Sequence, residues 1–255
     1  MKKLVVKILS VIVLMIVCIG CGGGGDRMRM TVEGSGEVAF TLRGSGTATV
    51  DWGDGSDRTI REISSNGTTF SKTYAGSGRH TITITGNDVI GLSWNRGTLT
   101  GLDLGRNTKL MNLSVGGEQL TSLDVSRNTA LTSLIVEFTQ LTSLDLSNNT
   151  ALTSLEVIGR GNQLTSLDVS NNTALTSLNV NGNRLTSLDV SNNTALTSLS
   201  VIGNRLTTSS LNALFESLPT QRGVIDIFGN PGTNDANRSI ATAKGWEVQN
   251  RMVFW

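Results

Sequence analysis

The sequence predicts a mainly β chain: a small antiparallel β-sandwich followed by a capped solenoid of repeats with a short α/β C-terminal cap. Three observations predict it. From Val89 onward apolar residues return with a 21-residue period; between Met30 and Gly86 short stretches alternate apolar and polar residues; after Leu206 the period gives way to two segments with helical spacing. A chain of 255 residues holds two modest domains or one long array. The 21 Lys plus Arg balance 20 Asp plus Glu, so no polybasic surface for nucleic acid is evident.

At the start, Lys2, Lys3 and Lys7 lead into an apolar run from Ile8 through Ile19, too short to span a bilayer, followed by Gly20-Cys21. This stretch resembles a bacterial lipoprotein signal. The resemblance implies cleavage after Gly20 and lipidation of Cys21, although Cys18 stands where the family usually has Leu. An ordinary secretory signal and an uncut N-terminal anchor are the alternatives. Removing residues 1–20 takes away three lysines and no acid, leaving 18 basic against 20 acidic residues. The expected location is the bacterial cell envelope, at the outer membrane and facing outward, with the membrane as a partner through the lipid. Both cysteines lie in or beside the signal, so the exported part is expected to hold no disulfide and no thiolate metal site. The glycines at 22–25 make residues 21–27 a flexible tether.

Residues 28–88 read as the sandwich. Val38, Phe40 and Leu42 alternate with polar residues, as do Ala48, Val50 and Trp52, and then His80, Ile82 and Ile84, with Gly-Ser and Asn-Gly stretches between. Within it, VDWGDGS at 50–56 and YAGSGRHTITITG at 74–86 resemble the family named after polycystic kidney disease repeats, small immunoglobulin-like sandwiches. Gly53 and Gly55 permit a tight turn, and the Asp54 carboxylate is placed to accept turn amide protons. Asp51, Asp54 and Asp57 also admit a calcium reading, but they lack the alternating-ligand loop ending in a bidentate acid.

Residues 89–208 carry the repeats. Ten-residue units begin at 89, 110, 131, 152, 175 and 196, and eleven-residue units at 99, 120, 141, 164 and 185; Gly159-Arg160-Gly161 marks an insertion. Each half reads L-x-x-L-x-V/L, frequently with Asn after it. This resembles the leucine-rich repeat, in a short nested form where both halves of a coil carry the motif. In L-x-V the outer two residues point inward and the middle one outward, as in a short strand. About six aliphatic side chains per coil are buried, worth roughly 1.5–3 kcal/mol each before ordering entropy is subtracted. Asn107, Asn128, Asn149, Asn172 and Asn193 are expected to form an inner ladder that satisfies backbone groups where the chain turns.

The ends are written differently, as solenoid ends must be. Trp94 stands at an inward position of the first unit, where its ring can cover the opening beside the sandwich. Residues 209–255 read as the cap. SSLNALFESLP predicts an amphipathic helix capped by Ser209 or Ser210, with Leu211, Leu214, Phe215 and Leu218 on one face. Ile225, Ile227 and Asn230 repeat the coil grammar, and a second helix is expected from Asp235 to Lys244, ended by Gly245 before Trp246 and Val248.

One acid per coil, Asp103, Asp124, Asp145, Asp168 and Asp189, makes an outward ladder whose spacing approaches that of a retaining glycosidase pair. A catalytic pair needs two different environments, whereas a repeated ladder gives each member the same one. Flanking serines such as Ser126, Ser147 and Ser170 supply donors that offset like-charge repulsion; a bound cation is the lesser alternative. The single histidine, His80, has no nucleophile-elbow sequence with it, and reads as a strand-face side chain. No enzyme, cofactor or metal is expected.

Recognition is expected where the repetition stops. Outward positions of the ten-residue units carry Ile135, Glu137, Glu156, Ile158, Asn179, Asn181 and Ile202, with Phe138 and Arg160 nearby. Clustered apolar residues with a charged rim mark an interaction site. The ligand class implied is a protein or a glycan, through adhesion or contact with other cells. If the eleven-residue half were concave, the aspartate ladder would be the surface instead, favouring a cation or sugar. A structural spacer is the rival, and a carbohydrate-active enzyme the remote one.

Overall fold

The computed structural model describes residues 27–105, 107–159 and 163–250. The expected signal, the lipidation site at Cys21 and the tether up to residue 26 lie outside them, as does Arg160, while Arg27 already belongs to the first strand. The protein is mainly β.

Eight strands come first: β1 (Arg27–Glu33), β2 (Gly36–Ser45), β3 (Thr47–Asp51), β4 (Thr59–Glu62), β5 (Thr68–Tyr74), β6 (Arg79–Thr85), β7 (Asp88–Arg96) and β8 (Thr98–Asp103). One sheet runs β4-β3-β6-β1-β8; the strands β5-β2-β7 open a second. Alternation decides which face is buried. Met28, Met30 and Val32 of β1 and Ile82 and Ile84 of β6 are at most 1% exposed, as are Phe40 and Leu42 of β2. Phe40 stacks on Phe70 at 5.7 Å and meets Trp52 at 5.8 Å, closing the sandwich core with aromatic rings.

The second sheet does not stop at the sandwich. β7 pairs antiparallel with β2 and, through Gly91, Leu92 and Ser93, parallel with Asn112, Leu113 and Ser114 of β9 (Asn112–Gly116). The parallel ladder then continues through β10 (Ser133–Glu137), β11 (Ser154–Ile158), β12 (Ser177–Asn179), β13 (Ser198–Ser200), β14 (Gly223–Asp226) and β15 (Trp246–Gln249). No break in hydrogen bonding marks residue 88, because β7 is the last sandwich strand and the first coil of the solenoid at once. Its continuation β8, the first eleven-residue unit, pairs with β1 in the opposite sheet.

The four coils from 110 to 195 each bury six aliphatic side chains. In one of them Leu131, Leu134, Val136 and Leu141 are fully buried, with Leu144 and Leu146 at 9% and 1% exposure. The two halves differ in backbone. Strands form only on the ten-residue halves from β9 onward. The eleven-residue halves keep the in-out alternation, with Leu123 and Val125 buried around exposed Asp124, but have no strand ladder. The expectation of strand geometry in both halves is corrected here, and the reason is local. Each aspartate accepts the amide two residues ahead, as Asp124 Oδ1 does from Ser126 N at 2.9 Å, which curls the chain out of the extended ladder.

The inner asparagines form the expected ladder. Asn128 Nδ2 donates to Asn107 O, Asn149 to Asn128 O, Asn172 to Asn149 O and Asn193 to Asn172 O, all at 2.8–2.9 Å. A second ladder occupies the opposite corner, where Asn183, Asn204 and Asn230 donate to the carbonyls of Val157, Val180 and Val201.

In the cap, α1 (Thr208–Ser217) buries Leu211, Leu214 and Phe215. Its N-cap is Thr207, not Ser209 or Ser210; Thr207 Oγ1 accepts from Ser210 N at 3.2 Å. The second helix is shorter than expected: α2 covers Ser239–Ala243 only. Turns occupy the residues before it, and Asn237 Oδ1 takes the Ser239 amide at 3.2 Å. Trp246 is buried in the last strand.

Candidate functional site

Because the strands lie on the ten-residue halves, the parallel sheet presents those halves' outward residues as rows. Register places Ser93, Ser114, Ile135, Glu156, Asn179, Ser200, Asp226 and Gln249 side by side. Next to it Gly116, Glu137 and Ile158 are aligned. Ile135 therefore sits against Glu156, and Glu137 against Ile158. All four are half-buried, since neighbours in a parallel sheet cover one another's flanks. Asn179 and Ile202 are half-buried on the same side.

Asn181 differs. It is 6% exposed, and its Oδ1 accepts from Ser200 Oγ at 2.8 Å and Ile202 N at 2.7 Å. The expectation of an outward contact residue is corrected: its short amide lies where the strand ladder ends and is enlisted to bridge coils.

Where each of these coils turns off the sheet the chain takes positive φ, directly after β9, β10 and β11 and three residues past the ends of β12, β13 and β14. That position holds Gly117, Gly159, Gly182, Gly203 and Gly229, and in one coil Phe138. The amide at this position donates to a carbonyl of the next coil, as Phe138 N does to Ile158 O at 2.9 Å and Gly182 N to Ile202 O at 2.9 Å. Glycine meets the requirement without a Cβ clash. Phe138, at φ 51°, is the one non-glycine residue with positive φ among the described residues, a conformation that costs a bulky L-residue about 1–2 kcal/mol. Its side chain remains 52% exposed. A Cβ at Gly159 would lie 2.8 Å from Phe138 Cδ1, so the next coil leaves room for the ring.

A shallow cavity of about 270 Å³ opens beside Phe138 where the sandwich joins the solenoid. Trp94, Arg96, Gly116, Gly117, Glu137 and Phe138 line it. Trp94 was expected to close the end of the coil stack. It does pack on the core, but it is only half-buried, and its Nε1 donates to Gly97 O at 3.3 Å. Comparing the half-units at this position reveals the Phe138 interruption; nothing in the linear sequence announces that Trp94 comes to stand beside it.

On the other side of the coils the aspartates are engaged by turns. Asp103, Asp124, Asp145, Asp168 and Asp189 accept the amides of Gly105, Ser126, Ser147, Ser170 and Ser191 at 2.8–2.9 Å. The Ser126 and Ser170 hydroxyls and then their amides hold Asp124 and Asp168 below the usual carboxylate range; for Asp145 the Ser147 amide leads and its hydroxyl follows. Repulsion from Asp124 and Asp168 acts against this at Asp145. Among the described residues no cluster of three or more His, Cys, Asp or Glu side chains is arranged to hold a metal ion.

The acids of the sandwich turn are likewise engaged. Gly53 N donates to Asp51 Oδ1 at 3.1 Å, and Arg58 Nε to Asp51 Oδ2 at 3.2 Å. Asp54 accepts from Ser56 N and pairs with Lys72 Nζ at 2.8 Å; Lys72 and Ser56 together push its carboxyl far below the ordinary range. Gly53 at φ 72° also allows close approach, since a Cβ there would lie 2.4 Å from Thr81 O. Tyr74 donates its hydroxyl to Trp52 O at 2.7 Å across this turn, and His80 stacks on Tyr74 at 4.0 Å.

No model of a known protein family matches the chain, and neither does any curated protein. Solved structures do. The functional domain of InlJ from Listeria monocytogenes, which includes a cysteine ladder, is 32% identical, covering 60% of this chain and 37% of that one with a TM-score of 0.46. A leucine-rich-repeat protein of Leptospira interrogans is 19% identical, covering 56% and 43%, with a TM-score of 0.44. An internalin, InlF, from Listeria monocytogenes is 21% identical, covering 48% and 42%, with a TM-score of 0.38. The chain thus spans less than half the length of each.

Proposed function

We propose that this chain is a non-catalytic binding module of the bacterial cell envelope, anchored by a lipid on Cys21 at the outer membrane, that recognises a protein or glycan through the outward face of its parallel sheet. The observation that carries this reading is the break in repetition along that face. Ile135, Glu137, Glu156 and Ile158 interrupt rows whose other members within the repeats are Ser93, Ser114, Asn179, Ser200 and Gly116, and Phe138 interrupts a column of glycines. Packing inside the solenoid makes no demand on these outward positions, so their apolar and charged character is free to serve a partner.

The opposite side is less suited to recognition, since its carboxylates already accept turn amides in every coil. The same uniformity argues against catalysis, which requires two carboxyls of different acidity. The family likeness of the 50–86 turn and the placement of Cys21 after a short apolar run support an exported, tethered molecule.

The test is a screen of the full chain in detergent against immobilised mucins, matrix proteins and polysaccharides, beside a triple variant with Ile135, Glu156 and Ile158 each changed to Ser. Loss of binding in a variant with an unchanged circular dichroism spectrum supports the reading. Binding that survives moves the site off this face, and no binding by either protein favours a spacer. Fatty-acid labelling that persists in Cys21→Ser would refute the anchor.

A further inference from the structure

The cavity beside Phe138 is made by an absence in one coil and an excess in the next. Register sets Glu137 directly beside Gly116, and Gly117 N donates to Glu137 O at 3.3 Å. Two consecutive residues without side chains thus lie next to a carboxylate and an aromatic ring, and the half-buried indole of Trp94 lines the same space. At these turns the fold needs positive φ, which the other coils give to glycine, and among the described residues only this coil gives it to a strained phenylalanine. Strain retained at a single exposed aromatic points to use.

We infer that this cavity binds the ring of a neutral saccharide, an inference that rests on the sheet face being the recognition surface. Chemistry selects the class. Glu137 makes no side-chain hydrogen bond among the described residues, while Arg96, paired with Glu37 at 2.7 Å, still has guanidinium donors beyond that pair. A purely apolar side chain from a partner would desolvate Glu137 without replacing its hydrogen bonds. An anion would meet Glu137, and a cation would meet Arg96. A pyranose has apolar C–H faces for the two aromatic rings and hydroxyls that donate to a carboxylate and accept from a guanidinium. The 270 Å³ volume and the shallow opening suit one ring of a chain better than a folded partner's loop.

The experiment titrates the full chain in detergent with a panel of neutral pyranosides and their short oligomers, read by saturation-transfer NMR, beside Phe138→Gly, Glu137→Gln and Trp94→Phe. Phe138→Gly restores the residue the other coils carry, so loss of binding in it is not loss of fold; its melting temperature checks this. The expected result is binding of at least one neutral oligomer that weakens about tenfold or more in Phe138→Gly and in Glu137→Gln. No binding of any panel member up to about 10 mM overturns the inference, as does binding indifferent to both changes. A protein ligand lost on changing Ile135, Glu156 and Ile158 but retained by Phe138→Gly would leave the binding-module reading standing and overturn this one.

Discussion

Asn149 Nδ2 donates to Asn128 O at 2.9 Å and also to Val125 O at 3.0 Å, so one buried amide closes two carbonyls of the preceding coil. Both acceptors are carbonyls, which fixes the amide's orientation chemically. The same bond recurs between successive coils and transmits their spacing along the inner corner.

Asn149→Ala should therefore destabilise the solenoid by about 1–3 kcal/mol, since two buried carbonyls each lose one of two donors and keep only the backbone amides of Asn128 and Leu131. Denaturant unfolding measures it. Asn148→Ala, at an exposed site whose amide reaches Ser126 O at 3.1 Å, should cost under about 1 kcal/mol. Equal costs would mean that the inner ladder does not hold the coils.

Acid should weaken the solenoid through the aspartate turns. Asp124, Asp145 and Asp168 are held below the ordinary value by the Ser126, Ser147 and Ser170 donors. A depressed folded-state pKa gives stability that is fully present above the unfolded value of about 3.9 and is lost as pH falls through the folded values. Melting temperature should be level above about pH 5 and fall below about pH 4. In a variant with all three changed to Asn, the turn acceptor remains while the charge is gone. Its acid limb should flatten; an unchanged limb assigns the pH dependence elsewhere.

Tyr74 is the one tyrosine in the sequence, which makes its titration separable. Burial, followed by the charges of Asp54 and Asp51, pushes its phenol up to about 12. Because the folded pKa is raised, this contribution is fully present below the unfolded value of about 10 and is lost as pH rises toward 12. Ultraviolet difference absorbance should show phenolate forming near 12 in the native protein and near 10 in denaturant. Tyr74→Phe should cost about 1–2 kcal/mol by leaving Trp52 O unpaired.

At position 138 the usual order of residues should invert. Ala keeps the strain of φ 51° and discards the ring, whereas Gly removes the strain. Phe138→Gly should be more stable than Phe138→Ala by about 1 kcal/mol, read from paired thermal or denaturant melts. The reverse order would show that the turn tolerates a Cβ freely.

Much of the molecule was legible in one dimension because its core is periodic. Leucines at a fixed interval must stack, and Asn107 through Asn193 must face inward wherever the leucines do. The patch at Ile135, Glu137, Glu156 and Ile158 was found by the same logic, as departures from a repeated outward pattern. Asn181 obeyed that pattern too, yet lies buried, because its side chain leaves the backbone past the end of the strand. The length of the second helix was equally hidden: local side-chain bonds around Asn237 compete with helical ones, and spacing alone does not rank them.

The sequence by itself determined a β chain with an alternating sandwich, a 21-residue coil and an unlike cap, since burial of apolar side chains imposes those periods wherever they are written. Tertiary structure alone decided which half of each coil becomes a strand, that β7 serves both sheets, and that Trp94 and Phe138, 44 positions apart, line one cavity with Glu137. Those outcomes depend on hydrogen bonds and packing between coils. Neighbouring coils are remote in sequence, and only the folded chain brings their backbones into register.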